Sequence, residues 1–169
     1  GVIGAIIFTG FLMWRRRAQR KPLATAALTG ALFWAGTAGT ITLIEQQARS
    51  MPDVALRSLN GEVINLSRLA PGQPLVVNLW ATWCPPCVKE MPDLETLNQK
   101  YPDIAFVGLG VDTAANMRNF LPKVQVTYDL LVVGYGGIEL MKELGNTAGG
   151  LPFTLIFNQD GRLVERILG

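Results

Sequence analysis

The sequence predicts an α/β domain, a mixed β-sheet with helices on its faces, behind an apolar segment long enough to cross a membrane. Three observations carry this reading. Strand-like and helix-like runs alternate from residue 54 onward and close in a terminal hairpin pattern, the signature of a sheet covered by helices. Leu23 to Ile44 is 22 residues without a charge, and about 20 such residues at 1.5 Å each cross a hydrocarbon core of roughly 30 Å. A Cys-x-x-Cys pair, Cys84 and Cys87, directly follows a buried-strand pattern and opens a helix pattern.

Charge divides the 169-residue chain in the same way. The net charge is +2, yet residues 1–44 hold five basic residues and no acid, while residues 45–169 hold ten basic and thirteen acidic residues, a net of −3. The basic surplus is the cluster Arg15, Arg16, Arg17, Arg20 and Lys21. It is no nucleic-acid footprint, because the part that would fold is mildly acidic. By the positive-inside rule residues 15–22 form a cytoplasmic loop, and everything after Glu45 lies outside the cytoplasm; contact of the cluster with anionic membrane lipid fits the same topology. Residues 1–14 are apolar but short for a span, and read as a partial apolar segment. With no Met at the start and a strand-like run at the end, both ends read as cut from a longer protein. Small residues (Gly30, Ala31, Ala35, Gly36, Ala38, Gly39) would let the Leu23–Ile44 helix pack closely against another.

Residues 45–53 are polar and read as a linker, and the folded domain spans 54–169. Val54–Arg57 and Val63–Asn65 flank Asn60-Gly61, a hairpin signal. Ser67–Leu69 reads as a short helical turn. Leu75–Trp80 is almost uniformly apolar, as in a strand buried on both faces. A helix follows from about Pro86 to Lys100, with Met91, Leu94, Leu97 and Tyr101 as its apolar stripe, and Pro92 is expected to kink it. Ile104–Gly110 reads as a strand, Ala114–Leu121 as a helix, Leu130–Val133 as a strand and Ile138–Leu144 as a helix closed by Gly145-Asn146. Phe153–Phe157 and Leu163–Ile167 are strands joined by a turn at residues 158–161.

The chain has no histidine and only two cysteines. Ser-His-Asp and Cys-His catalysis are excluded, and two thiols cannot build a four-cysteine zinc site. A disulfide closing so short a loop would add little stability. A redox dithiol does explain the placement. A cysteine at a helix N-terminus meets free N–H groups and the positive end of the helix dipole, which stabilise a thiolate; a free thiol's pKa of about 8.5 falls to roughly 3.5–7.5 in such places. Cys87, one turn inward, is placed to attack a mixed disulfide on Cys84. Pro85 and Pro86 stiffen the loop and remove two N–H groups that would otherwise approach the sulfur.

The stretch Val77-Asn78-Leu79-Trp80-Ala81-Thr82-Trp83-Cys84-Pro85-Pro86-Cys87-Val88-Lys89-Glu90-Met91-Pro92 resembles the active-site segment of the TlpA/ResA/CcmG group, thioredoxin-like, extracytoplasmic thiol–disulfide reductases tethered to the bacterial cytoplasmic membrane, and so implies a reductase of protein disulfides. The resemblance covers about residues 54–169, including the early hairpin and Gly150–Thr154. It implies a thioredoxin-like three-layer fold with a central mixed β-sheet and an N-terminal β-hairpin, preceded by the transmembrane helix; the C-terminal helix usual in such folds is missing from the sequence. It further implies Cys84 as attacking and Cys87 as resolving cysteine, and Pro152 as a cis-proline facing them, with Leu151 and Trp83 beside the substrate together with Pro85 and Pro86. A proline that merely starts a strand is the plainer reading of Pro152. Thioredoxin's buried aspartate is replaced by Asn78, which cannot titrate, and the group offers Glu90 in its stead; i to i+3 spacing puts Cys87 and Glu90 on one helix face, although a solvated carboxylate would fit the sequence equally. The resemblance implies no cofactor besides the Cys84–Cys87 disulfide, protein thiol or disulfide substrates such as apocytochrome c or a copper-centre protein, and a membrane electron donor of the DsbD/CcdA type, with the catalytic domain on the periplasmic side. The alternatives are a disulfide oxidase or isomerase, which shares the motif at a different potential, and a Cu(I)-binding module using both thiolates.

Overall fold

A computed structural model describes residues 50–169. The Leu23–Ile44 span, the basic loop and the apolar residues 1–14 lie outside the described residues; among those described, no helix is long and apolar enough to cross a membrane.

Seven strands form one sheet in the order β2-β1-β5-β4-β3-β6-β7. They are β1 (Ala55–Ser58), β2 (Val63–Asn65), β3 (Leu75–Trp80), β4 (Ala105–Gly110), β5 (Asp129–Val132), β6 (Phe153–Phe157) and β7 (Leu163–Leu168). Among the described residues the α-helices are α1 (Pro85–Lys100), α2 (Ala114–Phe120) and α3 (Gly137–Glu143). β3, β4 and β5 run parallel, whereas β6 and β7 and the β1–β2 hairpin pair antiparallel. The sheet is therefore mixed, as the strand and helix order predicts.

Side-chain alternation along the strands builds three layers. Leu75, Val77 and Leu79 of β3, Val107 and Leu109 of β4, Leu131 of β5 and Phe153, Leu155 and Phe157 of β6 face one way and pack with Leu140, Met141 and Leu144 of α3. Trp80 faces the other way, in a second cluster with Cys84, Cys87 and Met91 of α1 and Met117 of α2. β3 is buried along its whole length, which is why its sequence reads as a run and not an alternation.

Boundaries fall within a residue or two of the expectations. The Asn60-Gly61 turn closes with Gly61 at φ 90° and its N–H donating to Ser58 O at 3.0 Å. Gly145, at φ 96°, ends α3, and Asn146 N–H donates back to Met141 O at 2.8 Å, a glycine-terminated helix stop. α1 runs unbroken through Pro92 as one 16-residue helix. The described part of the 45–53 segment is stitched to the domain: Ser50 bridges Arg162, Met51 N–H donates to Gly161 O at 2.8 Å, and Asp53 accepts from Asn65 and Ser67. β7 is the last described strand, and Val164 and Leu168 on it are exposed.

Because β3, β4 and β5 are parallel and β6 runs against them, four connections share one edge of the sheet: Ala81–Cys84 after β3, Val111–Thr113 after β4, Val133 onward after β5, and Leu151–Pro152 before β6. The cysteines sit on this edge.

Candidate active site

Cys84 is the N-cap of α1, in extended conformation, and its Sγ accepts the Cys87 N–H at 3.4 Å. Pro85 and Pro86 fill the first two helical positions. They contribute no N–H, so the Cys87 amide is the first of the helix that can point at the sulfur. The two cysteines form a disulfide, with Cα atoms 5.3 Å apart. Cys87 is fully buried and Cys84 is 5% exposed, whereas Trp83 is 62% exposed beside them. Pro85 and Pro86 are exposed, and Pro152 is buried with Leu151 half-buried. The Leu151–Pro152 peptide bond is cis. Leu151 packs against the cluster that contains both cysteines.

Three residues after Cys87 on α1 lies a buried polar group. Glu90 is 4% exposed. Its Oε1 accepts from Asn78 Nδ2 at 2.6 Å, and the same nitrogen lies 3.0 Å from Thr154 Oγ1. Burial raises the Glu90 pKa from 4.5 to about 7; the Asn78 hydrogen bond opposes the rise and the nearby Asp93 charge adds to it. Asn78 thus lies against Glu90 and favours its carboxylate form. Tyr128 is also buried here, and its phenol is held above its ordinary value by burial first, then by the charges of Glu90 and Glu95. Asn78 Oδ1 and Trp80 Nε1 are buried without a protein partner among the described residues.

Two further buried acids fix the surroundings. Burial would raise Glu95, but hydrogen bonds from the Thr127 amide (2.8 Å), the Thr127 hydroxyl (2.7 Å), Gln99 and the Tyr128 amide prevail and hold it below its ordinary value. Glu95 therefore pins α1 to the segment that carries Tyr128. Asp112, after β4, is 1% exposed. Burial is again outweighed, here by donors from the Thr82 hydroxyl and amide, Asn116 Nδ2 and the Thr113 amide. It ties the loop bearing Cys84 to the start of α2. Sequence reasoning passed over Thr154, Tyr128, Glu95 and Asp112. Asp112 and Glu95 carried a signal: each falls where a buried neighbour was expected, and a buried acid needs donors.

The Redoxin family's sequence profile matches residues 46–169. The chain belongs to the Redoxin family. It is similar to the thiol-disulfide oxidoreductase ResA of a Bacillus cereus strain, 30% identical over 128 residues, 73% of this chain and 70% of that protein. Among solved structures, a thioredoxin-related protein from Neisseria meningitidis serogroup B is 35% identical with a TM-score of 0.59, covering 68% of this chain and 87% of the other. A thiol:disulfide interchange protein DsbE from Chlorobium tepidum shares the fold at a TM-score of 0.63 and 22% identity, covering 72% and 84%. With these relatives this redoxin is a thiol–disulfide oxidoreductase with a thioredoxin-like α/β fold.

Proposed function

We propose that this redoxin is a membrane-anchored reductase of protein disulfides, held by the Leu23–Ile44 helix at the bacterial cytoplasmic membrane with residues 54–169 on the outer, periplasmic face. The observation that carries the exchange chemistry is the Cys84–Cys87 disulfide at the start of α1 with a near-neutral buried carboxyl, Glu90, three residues further along the same helix. In the reduced protein, the Cys84 thiolate attacks one sulfur of a substrate disulfide and releases the other as a thiol. Glu90 takes the proton of Cys87, whose sulfur attacks Cys84 Sγ, frees the second substrate thiol and regenerates the disulfide. Two electrons pass to the substrate. Trp83, Pro85 and Pro86 border the bound segment, and the backbone of Leu151 before cis-Pro152 offers it a strand edge.

The direction is supported by the resemblance of the active-site stretch to the TlpA/ResA/CcmG reductases and by the topology that the charge pattern of residues 15–44 implies. An oxidising compartment requires re-reduction, for which a membrane electron donor of the DsbD/CcdA type is suited. Cytochrome c precursors or a copper-centre protein are the substrates this reading favours; no cofactor besides the dithiol is needed.

Two measurements test it. Equilibration with glutathione should give a potential well below the glutathione couple, where each 30 mV is about 1.4 kcal/mol; a more oxidising value makes the protein an oxidase or isomerase. Cys87→Ala should accumulate mixed disulfides on Cys84 in cells, and their identification names the substrates. Copper titration of the reduced chain against Cys84→Ser separates thiol exchange from metal carriage.

A further inference from the structure

Beside the loop that carries Cys84 lies an open cleft of about 270 Å³ lined by Thr82, Asn116, Asn119, Phe120 and Lys123. Its floor is held in place from below. Thr82 and Asn116 both donate to the buried Asp112 carboxylate, which also accepts the Thr113 amide, so this acid's hydrogen-bonding capacity is spent inward and its oxygens are closed to a ligand. Phe120 forms an apolar wall, its ring 5.7 Å from that of Trp80. Asn119 and Lys123 stand at the exposed rim, and Lys123 forms no ion pair among the described residues. Outward, the cleft therefore presents one unmatched ammonium, side-chain amides and a short apolar wall. Those groups suit a carboxylate on an aliphatic stem.

Distance from the chemistry is set by the chain. Thr82 is two residues before Cys84, in a turn that the Cys84 N–H closes by donating to Ala81 O at 3.2 Å, so the two lie closer than the about 7 Å that two extended residues span. A substrate strand lying over Cys84 would place in the cleft a side chain about two positions from its reacting cysteine, since alternate residues of a strand point the same way.

We propose that this cleft is a specificity subsite of the exchange reaction, reading an acidic side chain about two residues from the substrate cysteine, with Lys123 as its charged reader and Asp112 as the group that sets Thr82 and Asn116 in place. The proposal rests on the exchange reaction given above. It runs against the bulk charge, since residues 45–169 carry −3 overall, which alone would favour basic substrates. An acidic preference therefore has to come from a local site.

The test uses the reduced full chain and short peptides with one cysteine capped as a disulfide with 2-mercaptoethanol, and Glu, Gln or Lys two residues from it on either side. Cys84 attacks the peptide sulfur and displaces 2-mercaptoethanol; Cys87 then displaces the peptide thiol and leaves Cys84–Cys87 oxidised. Rates for each variant are divided by its own rate with neutral 2-hydroxyethyl disulfide. The wild type should order the peptides Glu above Gln above Lys, with about 2- to 5-fold between the first two, the range of one exposed ion pair. Lys123→Glu should invert the order, and 0.5 M salt should compress it in both proteins. Equal rates for the three peptides, or an order that survives Lys123→Glu, would overturn the subsite while leaving the exchange reaction standing. Failure of every disulfide, including 2-hydroxyethyl disulfide, to oxidise the chain would overturn the exchange reaction and the subsite with it. Lys123 is exposed and forms no ion pair among the described residues, and normalising each variant to its own rate with 2-hydroxyethyl disulfide separates a charge effect from a folding defect.

Discussion

In the proposed mechanism, Glu90 carries the proton transfer. A carboxyl that titrates near 7 exchanges protons efficiently at neutral pH, because a general acid or base works best when its pKa matches the surroundings. In the pH profile for resolution of a mixed disulfide on Cys84, a step with its midpoint at about 7 is therefore expected. Glu90→Gln should remove that step and slow resolution at pH 8 by at least ~10-fold; a variant with the wild-type profile would take Glu90 out of the mechanism. The two cysteines were legible because their placement after a buried strand is specific. Glu90 was legible only as a candidate, since helical spacing gives a side chain's direction but not its depth. The Asn78 contact was hidden, because residues 78 and 90 meet only once β3 and α1 are packed, and Thr154 reaches Asn78 from 76 positions further along the chain.

At the level of the elements, the strands and helices were readable from hydrophobic period, and the turns from Asn60-Gly61 and Gly145-Asn146. What the sequence hid was the pairing order. β3 lies between β4 and β6, and β1 pairs with β5, relations that depend on distant segments with equivalent apolar faces. The close of α3 can be tested. Gly145 sits at φ 96°, where an L side chain is strained, and a Cβ there would lie 3.0 Å from Arg166 Nε, the group that donates to Leu144 O at 2.6 Å. Gly145→Ala should cost about 1–2 kcal/mol, seen as a lower midpoint in urea with little change in m. A neutral substitution would mean that the turn relaxes to another geometry.

For the whole domain, the buried acids give stability two opposed pH dependences in separate windows. Glu90 has a folded pKa raised from 4.5 to about 7. The folded state keeps a proton that the unfolded chain has lost, so stability falls as pH rises from about 4.5 to about 7, by on the order of 2–3 kcal/mol, and is flat above. Glu95 and Asp112 are lowered; their contribution is present above the ordinary carboxylate range and is lost as pH falls below it. The oxidised protein should be most stable near pH 4.5, roughly where the two windows meet. Denaturant titrations at pH 5 and pH 8 should show a loss that Glu90→Gln largely removes. Equal loss in the variant would assign the dependence to other groups. The charge division of the chain at residue 45 was readable from composition alone, whereas these titrations depend on burial, which composition does not contain.

Across the sheet, Leu130, Gly108, Asn78 and Thr154 stand side by side in one row. A methyl on Gly108 would lie 2.5 Å from Leu130 Cδ2 and 3.1 Å from Trp80 Nε1. The missing side chain is therefore shared room, into which the Leu130 side chain and the Trp80 indole both reach. Such room imposes a pattern of inheritance. Gly108 should drift to alanine more readily in a lineage where position 130 has already shrunk, so the two sites should change together among descendants of this chain. In the laboratory the same bond appears as epistasis. Gly108→Ala alone should cost about 1–3 kcal/mol, and Leu130→Val should return part of that cost in the double variant, a coupling that a double-mutant cycle measures. Additive losses would place the constraint on Trp80 instead.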